Sequence, residues 1–215
     1  LRTPVSVILA QCGACLESGE YSDRQKEQIL LIRRKAQDMA EMISHLLFLS
    51  RADQGRQPLN KERLNLSELT QMAAEEQQLL AEDTGNGVQI HCEIQPEIYA
   101  WADETFYIRM LVNLISNAVA YSRENGTVTV SLKRESEEVT GVVCDNGIGI
   151  SEKDMPHIWE RFYRGDTSRT GGGHSGLGLS MVKWIAEAHG GWVKADSVLG
   201  EGSTFMFGLP AEENQ

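Results

Sequence analysis

Apolar residues in the first quarter of the chain recur at helical spacing. Val5, Ile8, Cys12 and Cys15 lie 3-4-3 apart, which predicts a helix over residues 5–16. Gly19–Ser22 (GEYS) reads as a turn. Beyond it Ile29, Ile32, Ala36, Met39, Ile43 and Leu46 follow a 3-4-3-4-3 spacing, the a/d pattern of a coiled-coil seam. Leu30, Leu31, Met42 and Leu47 widen that stripe beyond what two helices need to cover each other. The pattern therefore predicts a helical hairpin over residues 1–53 that dimerises into a four-helix bundle, in preference to a hairpin packed only on its own chain. Asp53–Asn60 (DQGRQPLN) breaks the periodicity, and residues 54–61 read as a linker.

A second domain is expected over residues 62–211. Asn65 with Glu68, or Ser67 alone, can cap a helix running to about Glu82. Val88, Ile90, Cys92 and Ile94 alternate as in a strand with one buried face. A helix over Glu104–Tyr121 precedes two paired strands, Thr127–Arg134 and Val139–Cys144. Leu179, Val182, Ala186 and His189 mark a further helix stopped by Gly190–Gly191, with His189 placed to complement the helix dipole. Trp192–Ala195 and Ser203–Leu209 read as closing strands. The fold class is α+β: a helical hairpin, then helices layered on one face of a mixed sheet.

Charge removes several functions. Lys plus Arg number 20 against 31 Asp plus Glu, a net charge of −11. That argues against nucleic acid or an anionic membrane surface as the main partner. Apolar runs such as Val5–Ala10 are far too short for a bilayer span, and no signal peptide is visible, so this segment is expected to be soluble. Cys12 and Cys15 form a CxxC pair without a second pair for zinc and without a thioredoxin-like context. They read as small buried thiols in a reducing compartment.

Three segments carry the chemistry. Asn113–Ala118 (NLISNA) puts two carboxamides, Asn113 and Asn117, on one helix face. Asp145–Ile150 (DNGIGI) places a carboxylate at a strand end before Gly147 and Gly149, which let backbone approach a ligand closely. Gly172–Ser180 (GGHSGLGLS) sets a glycine-rich loop before a helix, where backbone N–H groups and the dipole can receive phosphate. Singly, each has a plain structural reading: surface asparagines, a strand-ending turn, a glycine-rich turn. In this order within one domain they describe a nucleotide pocket.

The same residues carry a family resemblance. NLISNA resembles the N-box of sensor histidine kinases, and DNGIGI and GGHSGLGLS resemble their two main glycine boxes. Ile158–Asp166 (IWERFYRGD) resembles the F-box, Gly200–Phe205 (GEGSTF) the last glycine box, and the opening LRTP the segment after the phosphoacceptor His-acidic pair. The resemblance implies a dimerization hairpin followed by an α/β-sandwich ATP-binding domain, with ATP and Mg²⁺ as ligands and a response-regulator receiver domain as partner. It implies that Asn117 ligates Mg²⁺, a role its hard carboxamide oxygen suits, with Asn113 one turn earlier reaching the metal or its waters. It implies that Asp145 accepts a hydrogen bond from the adenine amine and that Tyr121 packs on the base. Gly173, Gly176, Leu177 and Gly178 would frame the phosphate turn, residues 165–175 a lid over it, and Thr204 a further contact. Thr3 would orient water for dephosphorylating the regulator, or else simply precede Pro4 at a turn.

Departures from the family pattern refine this. Many relatives carry a basic residue where Ala120 stands, so phosphate charge falls to Mg²⁺, loop backbone, or Arg161 and Arg164, two arginines that read equally as surface residues. Related ATPases hold a glutamate base where this chain has Asn113, and an amide cannot take a proton at neutral pH. The pocket thus reads as holding ATP for transfer rather than hydrolysis. The family's acceptor histidine falls two positions before Leu1; the five histidines present (His45, His91, His157, His174, His189) read as structural or solvated. The expectation is the cytoplasmic core of a membrane-anchored two-component sensor kinase, with no direct membrane contact in this segment. Its rivals are an ATP hydrolase of the same fold and an ATP-binding dimeric scaffold.

Overall fold

The computed structural model describes residues 2–18, 21–83, 85–165 and 176–211, with the side chains at positions 2, 18 and 41 excepted. It begins with two antiparallel helices, α1 (Arg2–Ser18) and α2 (Asp23–Asp53). Ser22 and Gln25 form a capping box that starts α2, the Ser22 N–H donating to Gln25 Oε1 at 2.9 Å. Thr3 and Pro4 lie in the first turn of α1, where proline is tolerated, so Pro4 neither ends nor kinks it. Within the hairpin Val5, Cys12 and Ala36 are buried, and all four cysteines are free thiols.

The a/d stripe of α2 divides in two. Ala36 is covered within the chain, whereas Ile32 and Met39 are each 52% exposed and Leu30, Leu31, Leu46 and Leu47 are exposed beside them. An apolar surface of that extent on one hairpin marks an interaction face. The last turns of α2 do what the other packing solution required and dock on their own chain. Phe48 is buried against Phe106 (5.4 Å between ring centroids) and edge-on against Trp184 (4.9 Å). Leu49 and Ala52 are buried with it.

The rest of the chain builds a layered domain. Its elements are β1 (Glu62–Asn65), α3 (Leu66–Asp83), β2 (Gln89–Ile94), β3 (Tyr99–Ala102), α4 (Glu104–Tyr121), β4 (Thr127–Glu135), β5 (Glu138–Asp145), α5 (Gly178–Ala188), β6 (Trp192–Val198) and β7 (Gly202–Pro210), with a 3₁₀ turn at Met155–His157. Five strands form a mixed sheet in the order β2-β4-β5-β7-β6, β2 parallel to β4 and the rest antiparallel. Strand alternation sends Val128, Val130, Leu132, Val139, Val143, Phe205, Phe207 and Leu209 to the helix-covered side, where they join α3, α4 and α5 in one core.

Three local expectations change. Asn65, not Ser67, caps α3: its Oδ1 accepts from the Glu68 N–H at 3.3 Å. Ser67 is buried and ties α3 to the β2–β3 connection, donating to the Gln95 carbonyl at 2.7 Å and accepting from the Ile98 N–H at 3.0 Å. Strand β2 lies at a sheet edge, so Ile90 and Ile94 are only half-buried and Cys92 is exposed.

His189 is the third change. It is buried, its Nε2 accepts the Asp103 backbone N–H at 3.0 Å, and its Nδ1 lies 2.7 Å from the Ile185 carbonyl. That pairing puts the proton on Nδ1 and keeps the ring neutral. Burial pushes its pKa below the usual 6.5, with Lys61 adding to the effect and the Ile185 carbonyl and Asp103 opposing it. His189 thus acts as a neutral bridge rather than a cation at a helix end. Asp103 extends the network by capping α4 at Phe106 (3.2 Å) and accepting from the linker N–H of Asn60 (2.9 Å).

Because the folded state resists protonating His189, its contribution is complete above the ordinary value of 6.5 and lost as pH falls below it. Denaturant titrations on either side of that value should show His189→Gln with a flatter pH dependence than wild type. The same variant should be about 1 kcal/mol less stable at neutral pH.

Candidate nucleotide site

Helix α4 has two faces. Leu111, Leu114, Ile115 and Ala118 are in the core, while Val112, Asn113, Ser116 and Asn117 are half-buried on the opposite side. That side lines a cavity of about 490 Å³, the size of a small-molecule site. Of the residues expected in the pocket, Asn113, Asn117, Tyr121, Asp145, Gly149, Arg164, Gly176 and Gly178 all line it. They come from four separate stretches of sequence, so the fold has brought them together.

Asn113 is oriented by its own helix. Its Nδ2 donates to the Arg109 carbonyl at 2.7 Å, which commits the donor and turns Oδ1 toward Gly178 at the start of α5. A Cβ at Gly178 would stand 2.7 Å from that oxygen, so a side chain there would displace either Asn113 or the helix start. The asparagine oxygen therefore lies against the start of α5, and both border the cavity.

Asp145 ends β5 and is 6% exposed. Its Oδ1 accepts the Gly147 N–H at 2.8 Å, and the Ser203 backbone also bonds it from the neighbouring strand β7. Burial raises its pKa above the usual 3.8, and these two backbone bonds partly offset the rise. The loop that follows is held at three points: Ile148 N–H to the Tyr121 carbonyl (3.1 Å), Gly200 N–H to the Ile148 carbonyl (2.7 Å), and Ile150 N–H to Ser197 Oγ (2.8 Å). Gly149 adopts φ 66° with its Cα against the Val198 carbonyl, a position no side chain fits.

Several expected residues lie elsewhere. Thr204 points to the opposite sheet face, its Oγ1 donating to Cys144 Sγ at 3.3 Å, and Ser203 and Phe205 line the cavity in its place. The period-2 alternation of β7 requires that exchange. Leu177 is a core residue, and Gly147 serves Asp145 from outside the lining. Arg161 turns from the cavity to form two bonds with Asp53 at the end of α2, at 2.6 and 2.5 Å. That pairing lowers the Asp53 pKa and raises that of Arg161. Thr3 is exposed on α1, away from the cavity. Gly173, His174 and all of the expected lid over 165–175 except Gly165 lie outside the described residues.

Other lining residues carried no sequence signal of their own. Asp154 bonds Tyr163 Oη (2.6 Å) and Ser151 Oγ (2.8 Å), which hold its carboxyl below the usual range and lock the 3₁₀ turn against the F-box segment. His45, read from sequence as structural or solvated, is buried and lines the cavity. His157 pairs with Glu160 on the surface (2.8 Å), and His91 is exposed on β2.

Comparison with known proteins places this geometry. Residues 102–213 match the model of the histidine kinase-, DNA gyrase B- and HSP90-like ATPase family, and residues 1–55 that of the His Kinase A (phospho-acceptor) domain. The chain belongs to the sensor histidine kinases of two-component systems. It is 32% identical over 217 residues to the sensor-like histidine kinase SenX3 of Mycobacterium tuberculosis (strain ATCC 25618 / H37Rv), spanning 98% of this chain and 51% of that protein. It is 33% identical to the sensor histidine kinase WalK of Bacillus subtilis (strain 168), spanning 100% of this chain and 36% of that protein. The chain thus spans about half or less of the length of these curated relatives. The solved structure of full-length ShkA in complex with AMPPNP superposes with TM-score 0.80 at 25% identity, over 98% of this chain and 43% of that one. The histidine kinase AdeS of Acinetobacter baumannii shares the fold, with TM-score 0.70 at 18% identity over 99% and 97% of the two chains.

A carboxyl whose pKa is raised by folding stabilises most below its ordinary value of 3.8 and loses that contribution as pH rises through the folded value. Ionised Asp145 is therefore a net cost to the fold at neutral pH. Asp145→Asn should match or exceed wild type in thermal stability at neutral pH, with the difference shrinking as pH is lowered toward 3.8. Melting curves across that range check it.

Proposed function

We propose that this chain is the ATP-handling core of a two-component sensor kinase. It would bind ATP with Mg²⁺ and position the γ-phosphoryl for transfer to a histidine, from which it passes to an aspartate of a response-regulator receiver domain. Residues 1–53 would be the dimerization hairpin, 54–61 the linker and 62–211 the ATP-binding domain. The observation that carries this reading is the convergence of Asn113, Asn117 and a buried Asp145 on one cavity, with an amide and not a carboxylate at 113. An amide cannot deprotonate water, so the pocket favours positioning over hydrolysis.

Each residue then has a task. Asp145 accepts from the adenine amine and Tyr121 lies against the base. Gly176 and Gly178, at the start of α5, bring backbone close to phosphate where the helix dipole favours negative charge. Arg164 supplies positive charge at the cavity wall, while Arg161 serves the hairpin contact. The donor set fits Mg²⁺: Asn117, with Asn113 beside it, offers neutral hard oxygen, and such ions take their remaining ligands from water and phosphates. Bound Mg²⁺ would neutralise phosphate charge.

The uncovered apolar face of α1 and α2 (Ile8, Ile32, Met39, Leu46) supports a homodimer through the hairpin. Exposure of Thr3 on α1 leaves it open to a docked regulator, where its hydroxyl would orient water for dephosphorylation. Among the described residues no helix is long and apolar enough to cross a membrane. We place the segment on the cytoplasmic side of a membrane-anchored parent.

Calorimetric titration with ATP–Mg²⁺ tests the site. Asn117→Ala should weaken Mg²⁺-dependent binding and Asp145→Ala adenine recognition, each by about 1.5–3 kcal/mol, roughly tenfold to a hundredfold. Wild-type affinity in both variants would show that the nucleotide sits elsewhere. A wild-type chain that binds no ATP–Mg²⁺ would favour a scaffold that signals by conformation alone.

A further inference from the structure

The cavity is not built by the sheet domain alone. Asp38, Met42 and His45, at i, i+4 and i+7 on one face of α2, line it together with Gln77 and Leu80 of α3. His45 is 5% exposed although it stands on the hairpin, and the Asp38 charge is shared with Lys35 at 3.1 Å. One turn further, the same helix is clamped: Phe48 inserts against Phe106 and Trp184, Arg109 lies over its ring at 5.4 Å, and Asp53 pairs with Arg161. The wall and the clamp are parts of one rigid helix, so a change at either is felt by the other. With α2 in this position the cavity still measures about 490 Å³ and still includes Asp145 in its lining. The docked helix adds surface to a ligand without taking its room.

We propose that α2 is part of the nucleotide site: Met42 and His45 contact the bound nucleotide, and nucleotide binding and docking of α2 reinforce each other. This rests on the reading of the cavity as the ATP site. A ligand shifts an equilibrium only through contacts that differ between its states, and the α2 wall is such a contact. Linkage makes the effect reciprocal: nucleotide holds the hairpin on the domain, and loss of the hairpin contact weakens nucleotide binding by the same factor.

Two measurements on the full chain, with a non-hydrolysable ATP analogue and Mg²⁺, decide it. Hydrogen exchange of residues 38–53 should slow by about fivefold or more when the analogue is added. In calorimetry, Met42→Ala and His45→Ala should weaken binding, and Phe48→Ala, which touches the clamp and not the cavity, should weaken it by about fivefold as well. Tight binding by wild type with unchanged exchange in α2 and unchanged affinity in all three variants would overturn the proposal and leave the ATP site standing. Faster exchange in α2 on addition of analogue would also overturn it, because the nucleotide would then be expelling the helix. Failure of wild type to bind the analogue would sink both readings.

Discussion

Helix α4 faces a constraint that the rest of the domain is arranged around, because its 3.6-residue period must satisfy a dry sheet on one side and a polar cavity on the other. Leu111, Leu114, Ile115 and Ala118 meet the first demand, and Asn113, Ser116 and Asn117 the second. Rotating the helix by one residue would bury the carboxamides and expose the leucines. The Asp103 cap and its bond to His189 fix where α4 starts. At the other end the Tyr121 carbonyl fixes the loop carrying Gly147 and Gly149. The position of the amides and the position of the loop carrying Gly147 and Gly149 are therefore set by the same helix.

Asp145 shows what the site costs. A carboxylate held at 6% exposure beside two backbone donors is less stable ionised than it would be in water, and the core of β4, β5 and β7 compensates for it. Such a group is poised to accept a hydrogen bond from a ligand, which folding alone does not supply. The hairpin contact through Phe48 adds a second layer. It places α2 where the cavity is, so the element that would carry dimerisation also bounds that cavity.

Much of this was legible in the chain because it rests on local rules. The helices follow from 3.6-residue spacing, the β4–β5 pair and the closing strands β6 and β7 from their apolar runs, and the order of the motifs carrying Asn113, Asn117 and Asp145 points to one pocket, which these residues do line. What was not legible depends on partners distant in sequence. The ribbon of β1 with β3 pairs Glu62–Asn65, which does not alternate, with Tyr99–Ala102, and only the tertiary register makes either a strand. Arg161 reads equally as a source of phosphate charge and as a surface residue until Asp53, 108 positions away, takes it. Thr204 and Ser203 differ by one residue, and only pairing with β5 decides which faces the cavity. His189 looks like a helix-end cation because its burial comes from elements far along the chain.

The central claim is that the pocket holds ATP for transfer, with an amide at position 113 where hydrolysis would place its base. Phosphate release from saturating ATP–Mg²⁺ by the chain, measured beside the Asn117→Ala variant, tests it most directly. The account predicts that wild type binds ATP yet releases phosphate no faster than the variant. Sustained multiple-turnover release by wild type, abolished in Asn117→Ala, would contradict it and make the chain a hydrolase.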